Sequence, residues 1–130
     1  MRSPLPPVAT AVSFIDAVNR ADLDRLHDLM TPDHTLQVFD EDPLVGRSAN
    51  VEAWRGYLTS CPHYVIYPRQ IVASGPTVAV RGHTTGSHLG LPDDEEITLS
   101  LIWLVTAIDG AVRGFRLVED SAGHRAAHAF

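Results

Sequence analysis

The stretch TVAVRGHTTGSHLGL, residues 77–91, begins as an alternating strand and ends in a segment punctuated by glycine. Successive side chains of a strand point to opposite faces, so Arg81, His83 and Thr85 share one face. The other face carries small and apolar residues, as a packed face does: Val78, Val80, Gly82 and Thr84. The strand therefore places an arginine and a histidine either on an exposed surface or in a polar cavity.

The rest of this half of the chain also predicts strands. Residues 63–74 form one, in which Pro68 indicates an edge or a bulge. The missing side chain of Gly82 suggests a bulge that bends the sheet. Residues 97–108 are almost continuously apolar. The pair Asp109-Gly110 then predicts a hairpin turn into a last strand over residues 112–119.

The first half of the chain predicts three helices and one strand. Apolar residues recur at helical spacing over residues 8–20, and Asp22 is placed to cap a shorter helix that Pro32 ends. A strand is predicted over residues 33–40 and a third helix over residues 48–61. Three helices followed by long antiparallel strands predict an α+β domain, with the helices packed across one face of a strongly curved sheet. Such an arrangement encloses a pocket at its open end.

Length and composition set the domain organisation. A chain of 130 residues accommodates one domain. We expect a proline-rich arm over residues 1–7, a single domain over residues 8–120, and a flexible tail, rich in alanine and histidine, over residues 121–130.

Charge and cysteine content exclude several kinds of partner. The net charge is −6, which argues against nucleic acid and anionic membranes. No apolar run reaches the roughly 20 residues that a membrane helix needs, and residues 1–7 lack the apolar core of a signal peptide. Cys61 is the only cysteine, as is usual in a reducing cytoplasm, where we expect the protein to be.

The seven histidines do not predict a metal site. None of them forms an HxH or HExxH motif, and none is paired with cysteine, so we expect neither a metal nor another cofactor. His27 on a helix and His34 at the start of a strand are interpreted as surface residues.

The order helix–helix–strand–helix–sheet resembles the NTF2-like superfamily. The resemblance is carried by LMTPDHT at residues 29–35, by Gly46-Arg47 before the third helix and by the Asp109-Gly110 hairpin, and it covers residues 8–120. Within that superfamily the chain looks closest to the SnoaL-like and ketosteroid-isomerase-like proteins, which are found in bacteria. The resemblance implies a conical fold, a homodimer formed through the sheet, and an interior pocket for a small apolar, polyketide-like or steroid-like molecule.

Ketosteroid isomerase itself needs an aspartate base together with a tyrosine and a protonated aspartate. Matching the chain to that enzyme puts Val38 at the position of the base, Phe14 at that of the tyrosine and Leu101 at that of the protonated aspartate, so steroid isomerisation is not expected. Asp40 or Asp42 could supply the base only if the strand and the following loop are shifted. A solvated acidic loop is the alternative interpretation of that segment.

The same matching directs Arg81, His83, Trp103, Phe115 and Glu119 towards the interior of the cone. We predict that His83 is the acid or base, that Asp40 or Glu119 orients it, and that Arg81 stabilises an anion. The alternative is that these groups only satisfy one another in a partly exposed sheet. The resemblance implies a pocket lined by six residues: Phe14, Val38, Trp54, Leu101, Trp103 and Phe115.

The sequence leaves two interpretations for the segment around His88. His88, between Gly86 and Gly90, lies either in an ordinary strand end or hairpin loop or in a segment that curls over the pocket. The acidic run over residues 93–96 is interpreted as solvated. The sequence thus supports two functions: a cofactor-independent enzyme doing acid–base chemistry (isomerase, cyclase, dehydratase or hydrolase) on a small apolar ligand, or a non-catalytic binding or dimerisation module.

Overall fold

The computed structural model describes residues 4–130 and contains five helices and six strands within that range. In chain order they are α1 (Pro7–Asn19), α2 (Leu23–Leu29), β1 (Met30–Val38), β2 (Leu44–Val45), α3 (Arg47–Ser60), β3 (Val65–Ser74), β4 (Thr77–Thr85), α4 (Asp93–Glu96), β5 (Leu101–Ile108), β6 (Ala111–Glu119) and α5 (Ala122–Ala127). Residues 1–3 of the predicted N-terminal arm lie outside the described residues.

The six strands form one sheet in the order β2-β1-β6-β5-β4-β3. Strands β1 and β6 are parallel, and the other neighbouring pairs are antiparallel. The α+β class and the mostly antiparallel sheet are therefore confirmed. The sequence does not predict the two short helices: α4 occupies the acidic run, and α5 lies within the segment expected to be a tail.

Two strand boundaries differ from the prediction. Strand β1 begins at Met30 and includes Pro32, because its pairing with β6 shifts register between Met30 and Thr35 and leaves the proline outside the ladder. Strand β5 begins only at Leu101. The preceding N–H groups at 97–99 donate to carbonyl oxygens of residues 93–96, so they cannot pair within the sheet.

The register between strands shows which face of the sheet is covered. Val80 lies opposite Trp103, and Trp103 lies opposite Leu117, so these three side chains share a face. That face packs against Phe14 of α1 and Trp54 of α3, whose rings approach the ring of Phe115 at 4.9 Å and 6.2 Å. We call it the concave face and the opposite one the convex face. Within the described residues, no helix is long and apolar enough to cross a membrane.

His34 is buried in this core, and the expectation of a surface histidine is wrong. The side chain is 0% exposed, stacks on Phe14 with ring centroids 5.6 Å apart, and lies 2.7 Å from the carbonyl oxygen of Val112 through its Nδ1 atom. Burial lowers the pKa of His34 from its ordinary value of 6.5, against the opposing effects of the Val112 carbonyl and of Asp33. The imidazole is therefore neutral in the folded protein.

We expect the free energy of unfolding to decrease as the pH falls below about 6.5. Between the lowered pKa of folded His34 and the ordinary pKa of the unfolded chain, the unfolded state binds more protons, so stability is lost with acid. Each unit of pKa difference contributes about 1.4 kcal/mol. Urea unfolding at several values between about pH 5 and pH 8 measures the slope of the free energy of unfolding against pH. His34→Asn keeps a donor for the Val112 carbonyl but cannot titrate, so this slope should become smaller in the variant.

The matched control is His27→Asn, at an exposed histidine of α2, which should keep the slope of the wild-type protein. An unchanged slope in His34→Asn would show that another group causes the acid sensitivity.

Candidate functional site

Two adjoining chambers lie between α3, the concave face and the segment that connects β4 with β5. The inner chamber, of about 220 Å³, is bounded by Trp54, Trp103 and Phe115 and is lined almost entirely by apolar groups. The outer chamber, of about 650 Å³, extends to the connecting segment over residues 87–101. Four residues border both chambers: Tyr57, Tyr64, His88 and Leu117.

The structure places five of the six residues predicted to line a pocket on these chambers. Val38, Trp54, Trp103 and Phe115 border the inner one, and Leu101 borders the outer one. Phe14 is fully buried behind Phe115 and borders neither.

Arg81 and His83 start from the convex face of β4. The expectation that they face the interior of the cone is wrong for His83, which borders neither chamber, whereas the side chain of Arg81 borders the outer chamber. The register pairs Arg81 with Ile102, while Val80 is the residue that faces Trp103. The ring of His83 stacks on Tyr67 of the edge strand, with centroids 5.0 Å apart. Its buried Nδ1 atom has no hydrogen-bond partner among the described residues.

The remaining two predicted catalytic residues are exposed. Asp40 lies in the turn after β1, and Glu119 lies at the end of β6, on the rim of the outer chamber. Among residues 4–130, no side-chain hydrogen bond or salt bridge joins Asp40, Arg81, His83 or Glu119 to another member of that set. Arg81 and Glu119 both border the outer chamber, but the chain does not assemble the four residues into one group, and their catalytic roles stay predictions.

Arg81 instead belongs to an ion-pair cluster around Asp120. Its Nε atom donates to Asp120 Oδ2 at 2.7 Å, its Nη1 atom donates to Gln70 at 2.9 Å, and Arg125 of α5 donates to Asp120 Oδ1 at 3.4 Å. Burial alone would raise the pKa of Asp120, but hydrogen bonds from Ser100 and Arg81 and the two guanidinium charges hold that pKa below its usual value. This cluster attaches α5 to the end of the sheet.

The junction of the two chambers carries a hydrogen-bonded tyrosine–histidine pair. The Tyr57 oxygen lies 2.8 Å from His88 Nδ1 and accepts a hydrogen bond of 3.3 Å from the backbone N–H of His88. Because the phenol oxygen already accepts from that N–H, its own proton is free to be donated to Nδ1. Burial raises the pKa of the Tyr57 phenol, which keeps it protonated. The alternative in which His88 curls over the pocket is the one that the structure adopts.

Tyr64 is the second phenol at this junction. It is buried, its ring lies edge-to-face with Tyr57 at 5.0 Å, and burial raises its pKa well above the ordinary value of 10.0. No side-chain hydrogen bond of Tyr64 is present within the described residues. Its hydroxyl group therefore remains a donor for a bound molecule.

Glu96 contradicts the prediction of a fully solvated acidic run. Asp93, Asp94 and Glu95 are exposed as expected, but Glu96 is 1% exposed. Its carboxylate accepts a hydrogen bond of 2.5 Å from the hydroxyl of Thr84 and one of 3.3 Å from the N–H of Ser87. These contacts hold the segment that carries His88 against β4, at the wall of the outer chamber.

The family model that describes the SnoaL-like domain matches residues 11–115 of the chain. The chain belongs to the SnoaL-like domain family. The match extends from α1 into β6 and includes Trp54, Tyr57, Tyr64, His88 and Glu96.

Solved structures share the fold of this SnoaL-like domain. A protein from Jannaschia sp. CCS1, provisionally named a SnoaL-like polyketide cyclase, is 20% identical with a TM-score of 0.72, over 99% of this chain and 96% of that one. A protein from Sinorhizobium meliloti, provisionally named a polyketide cyclase, is 22% identical with a TM-score of 0.71, over 87% and 94%. A cystatin-fold protein from Novosphingobium aromaticivorans is 18% identical with a TM-score of 0.75, over 88% and 99%. No curated protein sequence matches the chain significantly.

This SnoaL-like domain has hydrocarbon side chains at the three positions that were matched to the ketosteroid isomerase groups. Phe14 is enclosed in the core, Val38 borders the inner chamber, and Leu101 borders the outer chamber. Proton transfer in these chambers would have to use other residues.

The groups near the junction of the chambers are a phenol–imidazole pair, a second phenol and a buried carboxylate, and the outer chamber is also bordered by the charged side chains of Arg81, Glu119, Asp120 and Arg125. Imidazole accepts or donates protons near neutral pH, and phenols donate hydrogen bonds to ligand oxygens. Within residues 4–130, no three His, Cys, Asp or Glu side chains are placed to hold a metal ion together. The arrangement is suited to acid–base chemistry on a ligand whose apolar part occupies the inner chamber.

Proposed function

We propose that this SnoaL-like protein binds a small, largely apolar molecule in its two chambers and catalyses acid–base chemistry on it without a cofactor. The observation that supports this most is the Tyr57–His88 pair, which is hydrogen-bonded at the junction of the two chambers. Isomerases, cyclases, dehydratases and hydrolases all move a proton to or from a ligand atom, and a positioned side chain accelerates that step.

In this proposal the two side chains act as a proton relay. The Tyr57 oxygen takes a proton from a ligand atom while its own proton passes to His88 Nδ1, which lies 2.8 Å away. The imidazole then carries the positive charge, and the phenol remains neutral throughout. This matters because burial makes a Tyr57 phenolate unfavourable. His88 is exposed, so it can exchange its other ring proton with water.

The provisional names of the two cyclase-like relatives favour a polyketide-like ligand and ring closure over the other reactions. A steroid-like ligand fits the same apolar walls. The non-catalytic alternative is a binding or dimerisation module in which the Tyr57–His88 hydrogen bond only holds the connecting segment in place. A homodimer formed through the sheet stays a prediction under either function.

A general probe of a base in an apolar pocket distinguishes these functions. The compound 5-nitrobenzisoxazole loses the proton on C3 to a base as its N–O bond breaks, and a coloured cyanophenolate forms. We expect the protein to accelerate this reaction. His88→Gln and Tyr57→Phe should each reduce kcat/KM by about 10²-fold, the lower end of general acid–base contributions.

Two histidine variants serve as comparisons. His27→Gln, at a surface position on α2, should leave the rate unchanged. His83→Gln tests the residue that the sequence favours, and we expect nearly the full rate because His83 lies on the convex face. Binding of the probe without acceleration above free imidazole would contradict catalysis and favour the module. A loss of rate confined to His83→Gln would show that the reaction takes place on the convex face, at His83.

A further inference from the structure

Two arginines border the outer chamber, and we call them the arginine pair. Arg81 of β4 and Arg125 of α5 have side chains that are 31% and 40% exposed, so both remain in contact with solvent. Among the residues that the structure describes, no arginine, aspartate or glutamate borders the inner chamber. The positive charge of the cavity is therefore confined to the outer chamber.

Most N–H groups of the arginine pair have no acceptor. A guanidinium group carries five N–H donors. Arg81 uses Nε for Asp120 and Nη1 for Gln70, and Arg125 uses only Nη1, in a long hydrogen bond of 3.4 Å to Asp120. Neither Nη2 atom donates to a side chain or backbone group of residues 4–130, and neither is sealed from solvent. These donors are available to a bound acceptor.

The charges around Asp120 do not cancel. Two guanidinium groups share one carboxylate, whose side chain is only 4% exposed, so the cluster retains one positive charge. Glu119 also borders the chamber, but it is exposed and forms no ion pair with either arginine within residues 4–130, so water and salt screen its charge. One remaining positive charge on a planar fork of donors matches a carboxylate, which guanidinium groups bind through two parallel hydrogen bonds.

Strand β6 sets the order of the groups along the cavity. Phe115 borders the inner chamber, Leu117 borders both chambers, and Glu119 borders the outer chamber, with Asp120 following it. At about 3.3 Å per residue, Phe115 and Glu119 are separated by about 13 Å. A ligand that reaches from the inner chamber to the arginine pair therefore needs a spacer between its two ends. Leucine side chains line the outer chamber along the way: Leu89, Leu99, Leu101 and Leu117.

We propose that the arginine pair binds the carboxylate end of an amphipathic ligand whose apolar ring system lies in the inner chamber. An engineered apolar cavity of about 150 Å³ accepts benzene, so a chamber of about 220 Å³ suits one or two rings. The inference rests on the proposed function in that the same ligand occupies both chambers, and it names that ligand as a ring-bearing carboxylic acid. The spacer passes the junction, where Tyr57 and His88 can reach its atoms.

Phenyl-terminated probes test the subsite. Phenylbutanoate, phenylhexanoate and phenyloctanoate, each with the phenyl group at the end of the chain, are compared with the alcohols of the same lengths. At the best-fitting length we expect the carboxylate to bind at least about 10-fold more tightly than the alcohol, which corresponds to about 1.4 kcal/mol. Without the arginine pair the alcohol should bind better, because a carboxylate loses more hydration on leaving water. Calorimetric titration measures the dissociation constants.

Arg125→Gln should remove most of this preference, and it should leave the affinity for the alcohol within about threefold, since the alcohol carries no charge for the guanidinium to bind. The matched control is Arg113→Gln, which removes the same charge from an exposed position on β6 that borders neither chamber. It should keep the preference. An equal loss in both variants would show attraction by the net charge alone and would overturn the subsite. So would equal affinities for the two probe classes, or no binding of any probe at millimolar concentration.

A second readout uses the wild-type protein and does not depend on the variant folding. In NMR spectra of the complex with the best-binding carboxylate, the ring protons of the probe should contact Trp54 and Phe115. The methylene group next to the carboxylate should contact the side chain of Arg125. Contacts of the ring protons with Arg125 would show the opposite orientation and would overturn the proposal.

The outcomes separate this inference from the proposed catalysis, because 5-nitrobenzisoxazole carries no carboxylate. If the carboxylate preference depends on Arg125 but 5-nitrobenzisoxazole is not converted, the subsite stands and the catalytic function fails. If conversion depends on His88 while Arg125→Gln keeps the carboxylate preference, only the subsite fails.

Discussion

Gly82→Ala is expected to lower the free energy of unfolding by about 3 kcal/mol or more, at the upper end of overpacking effects. A Cβ atom at Gly82 would overlap the backbone carbonyl oxygen of Tyr67 and would lie 3.2 Å from Cα of Pro68. Backbone atoms cannot rotate away as a side chain can, so β3 and β4 would have to separate there. Urea unfolding of the two proteins measures the difference.

Gly114→Ala is the matched control, because it places the same methyl group in the same sheet, on β6. Its nearest neighbours would be the Thr106 side-chain atoms at 3.6 Å and 3.7 Å, which are ordinary van der Waals contacts. We expect a change within about 1 kcal/mol. Equal losses in the two variants would show that the entropy or the strand preference of alanine, and not the close approach to Tyr67, is responsible.

The local features around Gly82 could be predicted from the sequence. A glycine in one strand and Pro68 in its neighbour indicate an edge or a bulge, and the structure has both. Strand β3 is the edge of the sheet, and its pairing with β4 shifts register between Pro68 and Gln70. Such signals are local, because proline lacks an N–H and glycine lacks a Cβ wherever they occur.

Alternation along β4 separates its two faces correctly, but the family resemblance directs the wrong face towards Trp103. The valines at 78 and 80 already indicated which face is buried, since burying Arg81 would require removing a guanidinium from water. The structure agrees with this simpler criterion, with Val78 and Val80 both 0% exposed. Hydrophobic patterning was the better guide to orientation.

Residues whose environment depends on distant partners could not be predicted. His34 is buried because it reaches the carbonyl group of Val112, 78 residues along the chain. Glu96 stands in an acidic run, and only the direction of the single helical turn after Pro92 points its carboxylate towards Thr84. The composition of residues 93–96 predicts exposure for the whole run, whereas in the structure Glu96 alone among these four residues is buried.

The connecting segment between β4 and β5 carries much of the candidate site, and few contacts hold it. Gly86 and Gly90 have φ values of +68° and +67°, a backbone region that glycine adopts without strain, so they allow the chain to turn away from the strand. His88 lies between them, and its position against Tyr57 depends on where this segment is attached. The main attachment on the β4 side is the carboxylate of Glu96.

Thr84→Val is therefore expected to lower the free energy of unfolding by about 3 kcal/mol, the range for a buried charge deprived of a partner. Valine keeps nearly the same shape but has no hydroxyl group, so Glu96 would keep only the N–H of Ser87 at 3.3 Å. We also expect faster amide hydrogen exchange over residues 86–96 and a lower rate with 5-nitrobenzisoxazole, because His88 loses its fixed position. Urea unfolding and exchange measured by mass spectrometry check both effects.

Thr98→Val makes the same replacement at an exposed site of the connecting segment, where the hydroxyl donates to the carbonyl oxygen of Glu95 at 2.6 Å. We expect it to change the free energy of unfolding by less than about 0.5 kcal/mol. The double variant Thr84→Val with Glu96→Leu removes both partners, and an apolar pair of similar shape is often nearly neutral, so much of the lost stability should return. If Thr84→Val lowers the free energy of unfolding by no more than Thr98→Val does, a water molecule has replaced the Thr84 hydroxyl as the hydrogen-bond donor to Glu96. The segment is then held by its apolar contacts, and the position of His88 does not depend on the buried charge.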